Sequence, residues 1–233
     1  MHNGGIAGWK HVKRLLGDAV GDRWYNGVQG NTDSEWAFAL FLDCLEKDGQ
    51  DPDDEACAQN GFGHAVLRSA MRKTIERINC FVAAIPAAKR EEEGIDTISL
   101  LNFAVADGHS VVCSKYVSSK TEVAASLYFS SGTNWKFTGE TGRYKMERRD
   151  KGADIVLVAS EPLTFERDNW VTVPTNSTIT IHKQTVMIHP IIDEYYNNSL
   201  SYTRSSGYAV GKGLVSNELD LVPGHLATST LRG

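Results

Sequence analysis

The feature that most constrains this chain is a change of period. Up to about residue 94 the apolar residues recur at helical spacing, and from Ser99 onward they alternate as in strands. Trp9, Val12, Leu15 and Leu16 mark a first helix, expected to end near Gly17. A second opens at Thr32-Asp33-Ser34-Glu35, where Thr32 and Glu35 have capping-box spacing. Trp36, Phe38, Ala39, Leu40, Phe41, Leu42 and Leu45 follow it. That run is too uniformly apolar for an exposed helix, so this one is expected at the centre, stopping near Lys47-Asp48-Gly49. A third helix is expected from about Gly63 to Ala84, burying Val66, Leu67, Ala70, Met71, Ile75, Ile78 and Val82. Lys89 to Gly94 reads as a charged linker.

The second half predicts strands. Leu100 to Val105 and Ser110 to Tyr116 flank Asp107-Gly108, a strong hairpin signal. Further strands are expected at Ser126–Phe129, Tyr144–Arg148, Ile155–Ala159, Trp170–Val173, Thr178–His182 and Thr185–Ile188, the last two joined tightly through Lys183-Gln184. Helices followed by a run of antiparallel strands argue an α+β fold with helices packed on sheets. After Tyr196 the chain turns polar and rich in Gly and Ser. Residues 1–196 are therefore expected to form one domain and 197–233 a poorly packed tail.

Composition excludes several classes. The 233 residues are 41% hydrophobic and 23% charged, ordinary for a soluble globular protein with a genuine core. A net charge of −5, with Lys and Arg scattered apart from short clusters such as Arg148-Arg149, does not suggest a nucleic-acid groove. No stretch approaches the length of a membrane span, and the N-terminus does not read as a signal peptide. Cys44, Cys57, Cys80 and Cys113 match no metal or redox spacing. Cys44, Cys80 and Cys113 lie among apolar neighbours and read as buried free thiols, which fits a reducing cytoplasm. The acidic run Asp51-Pro52-Asp53-Asp54-Glu55 lacks the Gly and closing Glu of a calcium loop and reads as a solvated loop. Gly207 to Gly213 departs from phosphate-loop spacing. No metal or cofactor is expected, and the sequons at Asn176 and Asn197 carry little weight in a cytoplasmic protein.

Two short segments carry chemistry. The chain opens Met1-His2-Asn3-Gly4-Gly5-Ile6, and about one helix later comes Gly30-Asn31-Thr32-Asp33-Ser34-Glu35. An Asn-Gly pair can offer a side-chain amide and a backbone N–H to a developing oxyanion; losing one such donor costs about 3–4 kcal/mol in the barrier. Asn-Gly also makes ordinary turns, and an Asp in the first turn of a helix also serves the helix dipole. The pair in this order and at this separation is what points to an amide-cleaving site.

These segments resemble class II glutamine amidotransferases, the N-terminal-nucleophile type. Ser99-Leu100-Leu101-Asn102-Phe103-Ala104-Val105, Ser119-Lys120-Thr121, the run from Ala159 to Arg167, and His189-Pro190-Ile191-Ile192-Asp193-Glu194-Tyr195-Tyr196 are similar to the fungal Dug-type branch. The resemblance runs to about Arg204. It implies an αββα sandwich of antiparallel sheets between helix layers, in incomplete form. It implies Asn3 as the oxyanion-hole amide, Gly4 as the neighbouring N–H donor, and Asp33 as the carboxylate that binds the α-amino group of a γ-glutamyl substrate. It also implies cytoplasmic glutathione breakdown with a peptidase-like protein partner, acting on glutathione or glutamine.

In that family the nucleophile is a Cys exposed once the initiator Met is removed, and an upstream Arg clamps the substrate carboxylate. Here Met1 is followed by His2, so the chain alone is expected to lack hydrolase activity. The preferred reading is a fragment of an active γ-glutamyl hydrolase lacking its leading lobe. The alternatives are a catalytically inactive paralogue that binds a partner or a γ-glutamyl ligand, and a generic α+β binding protein. Glu161 and Arg167, in a shared motif, read as turn or sheet-edge residues.

Overall fold

A computed structural model describes residues 1–138, 143–147, 155–164, 169–197 and 202–215. The order is β1 (His2–Gly5), α1 (Trp9–Ala19), α2 (Asp22–Gly27), α3 (Asp33–Lys47), α4 (Glu55–Asn60), α5 (His64–Ala83) and α6 (Ala87–Glu93). Then come β2 (Leu100–Ala106), β3 (Ser110–Lys115), β4 (Tyr128–Gly132), β5 (Asn134–Thr138), β6 (Arg143–Glu147), β7 (Ile155–Ala159), β8 (Val171–Thr172), β9 (Ser177–His182) and β10 (Thr185–Pro190). A short α7 (Gly207–Gly211) follows. The change of period near Ser99 is thus a change of layer, and the fold is the expected α+β arrangement of antiparallel sheets with helices.

The main sheet has five strands in the order β1-β2-β3-β9-β10, and a three-stranded sheet runs β7-β4-β8. Register decides which side chains share a face. Phe103 and Leu101 of β2 and Val112 of β3 join Leu40, Leu45, Met71, Ile75 and Ile78 of the helices in the larger core. On the opposite face Cys113 and Ile179 meet Leu127 and Val173, with Phe129 and Val158 of the second sheet packed against them. The layers therefore run helices, main sheet, second sheet. Each fully buried large aliphatic side chain contributes about 1.5–3 kcal/mol, and α3 buries eight residues in all. That count explains why its apolar run ignores the one-sided pattern of a surface helix.

Local signals hold with instructive exceptions. Thr32 Oγ1 accepts from Glu35 N at 3.4 Å, as the capping box requires. The Glu35 carboxylate turns further back, accepting from Gln29 N and Gly30 N at 2.8 Å each. The first helix does not end near Gly17 but runs to Ala19. Gly17 is there for space, since a Cβ would stand 3.3 Å from the Tyr25 ring and 3.4 Å from Trp36. The expected linker at Lys89–Gly94 is the end of a helix, α6, because Ala87 to Glu93 are all strong helix formers until Gly94 turns left-handed at φ 60. The solvated acidic loop is pinned: Arg23 donates to Asp51 at 2.8 Å, to Asp53 at 2.5 Å and to Glu46 at 2.7 Å.

The expectation of a poorly packed tail fails between Tyr202 and Leu214. Arg204 donates to the carbonyls of Ser119, Glu122 and Tyr195. Tyr208 Oη lies 2.8 Å from Ile98 O and within hydrogen-bond reach of the Asp96 carboxylate, and Ala209 is fully buried. A polar segment packs when its donors find carbonyls, which composition does not register. Cys80 is exposed on α5, against expectation, because it falls off the stripe that Ile75, Ile78 and Val82 bury. Arg148-Arg149, Arg167, the Asn198-Ser199 part of the second sequon and the tail beyond residue 215 lie outside the described residues.

Candidate functional site

The Asn-Gly pair makes no turn. It lies in β1, an edge strand paired antiparallel with β2 so that Asn3 faces Asn102 and Gly4 faces Leu101. Met1 and Ala104 exchange both hydrogen bonds, Met1 N to Ala104 O at 2.8 Å and Ala104 N to Met1 O at 2.9 Å. Antiparallel pairing alternates such bonded and non-bonded pairs. Asn3 therefore forms the next bonded pair, and the Gly4 N–H is turned toward the open edge of the sheet. Gly4 itself is obligatory. Its φ is +139, and a Cβ there would overlap the Leu100 carbonyl oxygen.

Strand parity places Asn3 on the same face as Asn102, the face toward the second sheet. Asn102 spends its amide on structure, donating to Ala125 O at 2.9 Å and accepting from Tyr116 N at 3.2 Å. The Asn3 side chain has no hydrogen bond among the described residues. It is a half-buried amide with its donors unused.

Asp33, the first residue of α3, is brought to the end of the same strand. Its Oδ2 accepts from Ile6 N at 2.9 Å, which ties the helix start to the residue after β1. The carboxylate is 22% exposed, and among the described residues no Lys or Arg pairs with it. Its nearest cationic candidate is His2 Nδ1, 3.9 Å from Oδ1. Gly5 lies on the Asn3 side of the strand, and a Cβ there would stand 3.8 Å from Oδ2. One edge thus offers an unused amide, an outward backbone N–H and a carboxylate without a basic partner.

The cysteines do not join them. Cys44 and Cys113 are buried, Cys57 is half-buried on α4 and Cys80 lies exposed on α5. Burial pushes the Cys113 thiol up to about 11, so it stays protonated at neutral pH and is a poor nucleophile. Two neighbours of the site were not singled out from sequence: His2, directly before Asn3, and Ser34, directly after Asp33. His2 Nδ1 is 3.1 Å from Ser34 Oγ and Nε2 is 3.2 Å from Leu100 O. Adjacency to the two motifs was the available signal. Among the described residues no cluster of His, Cys, Asp or Glu is arranged to hold a metal, and no helix is long and apolar enough to cross a membrane.

No family model matches the chain. It is 50% identical over 217 residues to the Saccharomyces cerevisiae protein named "Probable glutamine amidotransferase DUG3", an alignment covering 93% of this chain and 58% of that protein. The chain thus spans a little over half the length of that curated relative. Among solved structures, the glutamine aminotransferase class-II domain protein from Silicibacter pomeroyi is 21% identical with a TM-score of 0.49, covering 82% of this chain and 66% of that one. The similarity therefore extends across nearly the whole chain, 93% of which aligns at 50% identity with a protein named as a probable glutamine amidotransferase.

Proposed function

We propose that this chain carries the oxyanion and ammonium subsites of a glutamine amidotransferase-type enzyme that cleaves γ-glutamyl amide bonds. The observation that carries the reading is the Asp33 carboxylate, held by Ile6 N–H at the end of the strand that bears Asn3 and Gly4, with no Lys or Arg partner among the described residues. In the reaction a thiolate attacks the γ-carbonyl, the amine leaves with a proton, and water then hydrolyses the thioester to glutamate and free thiol. The developing oxyanion would take the Asn3 side-chain N–H and the Gly4 backbone N–H. The substrate ammonium would meet Asp33 in a charge-assisted hydrogen bond. The buried or remote thiols of the described residues do not supply the nucleophile, and in this reading it comes from outside these residues.

The wider proposal is that the substrate is glutathione or glutamine, that the setting is cytoplasmic glutathione breakdown, and that a peptidase-like protein is the partner. The relative's name supports the amidotransferase class. A second reading, a binding protein without turnover, is favoured by the position of the four thiols. The test is L-glutamine affinity by calorimetry on this chain, together with γ-glutamyl hydrolysis in an assembly that supplies the thiol. Asp33→Ala should weaken binding at least tenfold, about the 1.5–3 kcal/mol of one hydrogen bond to a charged group. Asn3→Ala should leave affinity nearly unchanged and lower kcat about 100- to 1,000-fold. The reverse pattern would reassign both residues, and turnover surviving loss of all cysteines would refute the thioester route. Binding with no turnover in any assembly would favour the second reading.

A further inference from the structure

Next to Asp33 lies a titratable group that the proposed chemistry does not use. The His2 side chain is 2% exposed. Around it stand the Phe103 ring of β2, at a centroid distance of 4.6 Å, the Leu100 carbonyl, and Asp33 and Ser34 at the start of α3. The other charge acting on it is the Met1 ammonium.

Three distances fix where the protons are. Nε2 is 3.2 Å from Leu100 O, and a carbonyl oxygen only accepts, so Nε2 carries a hydrogen. In the neutral ring Nδ1 is then bare, and Ser34 Oγ, 3.1 Å away, is its donor. The same hydroxyl lies 3.4 Å from Asp33 Oδ1 and has one hydrogen to give. While His2 is neutral that hydrogen goes to the ring, and Asp33 Oδ1 is left without it. Protonation of Nδ1 reverses the chain. The ring then donates to Ser34 Oγ, the hydroxyl hydrogen turns to Oδ1, and a cation stands 3.9 Å from that oxygen.

The geometry points to a relay, His2–Ser34–Asp33, in which neutral His2 leaves Asp33 Oδ1 open to the ammonium of an amino-acid substrate and protonated His2 closes it. The inference rests on Asp33 being the ammonium site of the proposed function. His2 acts as a positioning residue, since it touches Ser34 and approaches Asp33 rather than the substrate. Burial holds the imidazole below its ordinary value of 6.5, against the upward pull of the Leu100 carbonyl and Asp33, while the Met1 ammonium adds to the lowering. The open form is therefore the one present at neutral pH, and acid closes the site. By linkage, an ammonium bound at Oδ1 makes His2 harder to protonate.

The test pairs two measurements on this chain between pH 8 and pH 4.5: nitrogen NMR of the His2 ring, and calorimetric affinity for L-glutamine, with N-acetyl-L-glutamine as the probe lacking an ammonium group. Wild type should show the Nε2–H tautomer at neutral pH. Its Kd for L-glutamine should rise by up to tenfold per pH unit below the His2 midpoint, as expected when only the neutral fraction binds. His2→Gln should be flat across that interval. Ser34→Ala, which keeps the ring and serves if His2→Gln does not fold, should still titrate at His2 but lose most of the rise in Kd. An Nδ1–H tautomer, or an undiminished rise in either variant, overturns the relay. If wild type binds no L-glutamine at any pH, the ammonium reading of Asp33 falls, and the relay is decided by Asp33→Asn. That variant must lower the His2 midpoint by removing a charge that favours the protonated ring, and an unmoved midpoint overturns it.

Discussion

Asp43→Ala should unfold this protein more readily than any single change at its surface. Asp43 lies in mid-α3 and is 1% exposed. Its Oδ1 accepts from Gly21 N at 3.0 Å, and its Oδ2 accepts from Lys47 Nζ at 2.7 Å and from Arg77. Arg77 also donates to Ala19 O at 3.1 Å, and Lys47 reaches the same carbonyl at 3.3 Å. One carboxylate therefore joins the end of α1, the entry to α2, α3 and α5. Burial alone pushes this carboxyl up, yet the hydrogen bonds from Lys47, Gly21 and Arg77 outweigh it and hold it below its ordinary value of 3.8. Removing one partner of a buried ion pair costs about 3–5 kcal/mol. The Lys47 side chain is 56% exposed and Arg77 26%, so both recover some hydration, which brings the expected cost to about 3 kcal/mol. Asp43→Asn keeps an acceptor for Gly21 and should cost about 2 kcal/mol. In urea at pH 7, with a slope of about 2.5 kcal/mol/M, the midpoints should fall by about 1.2 M and about 0.8 M. The difference between wild type and Asp43→Asn should be full above the unfolded carboxyl value and close as pH falls through the depressed folded one. A shift below about 0.4 M for Asp43→Ala, or a gap that persists undiminished in strong acid, would refute the argument.

Gly4→Ala should cost about 2 kcal/mol, because a side chain is forced to a positive φ against the Leu100 carbonyl. Tm should drop by about 4–8 °C, and an unchanged Tm would mean that β1 does not dock on β2 in solution. Under native conditions a thiol reagent should label Cys80 promptly and Cys113 only on unfolding, since one is exposed and the other is buried with its thiol pushed up to about 11; equal rates would contradict the packing between the two sheets. Arg23→Ala should change stability by no more than about 1 kcal/mol, because its carboxylate partners are exposed. It should nevertheless speed amide exchange at Asp51, Asp53 and Asp54, since Arg23 holds Asp51 and Asp53.

Periodicity and local chemistry made much of this protein legible from sequence alone. The change from helical to alternating spacing near Ser99, the cap at Thr32, the hairpin at Asp107-Gly108 and the tight link at Lys183-Gln184 are decided by interactions a few residues long, and all stand in the structure. The motifs around Asn3 and Asp33 were likewise legible as a resemblance, because each is contiguous. Tertiary structure decided everything that depends on two distant segments meeting. Asn3-Gly4 reads as a turn until β2, nearly a hundred residues later, pairs with it and aims the Gly4 N–H outward. The Arg204 and Tyr208 contacts are invisible in a polar composition, since their acceptors lie on loops far away in sequence. The His2–Ser34–Asp33 cluster exists only because Ile6 N–H and the Asp33 carboxylate join a strand end to a helix start. Spacing specifies which elements form, whereas the partner that satisfies a buried donor or acceptor is chosen only when the layers close.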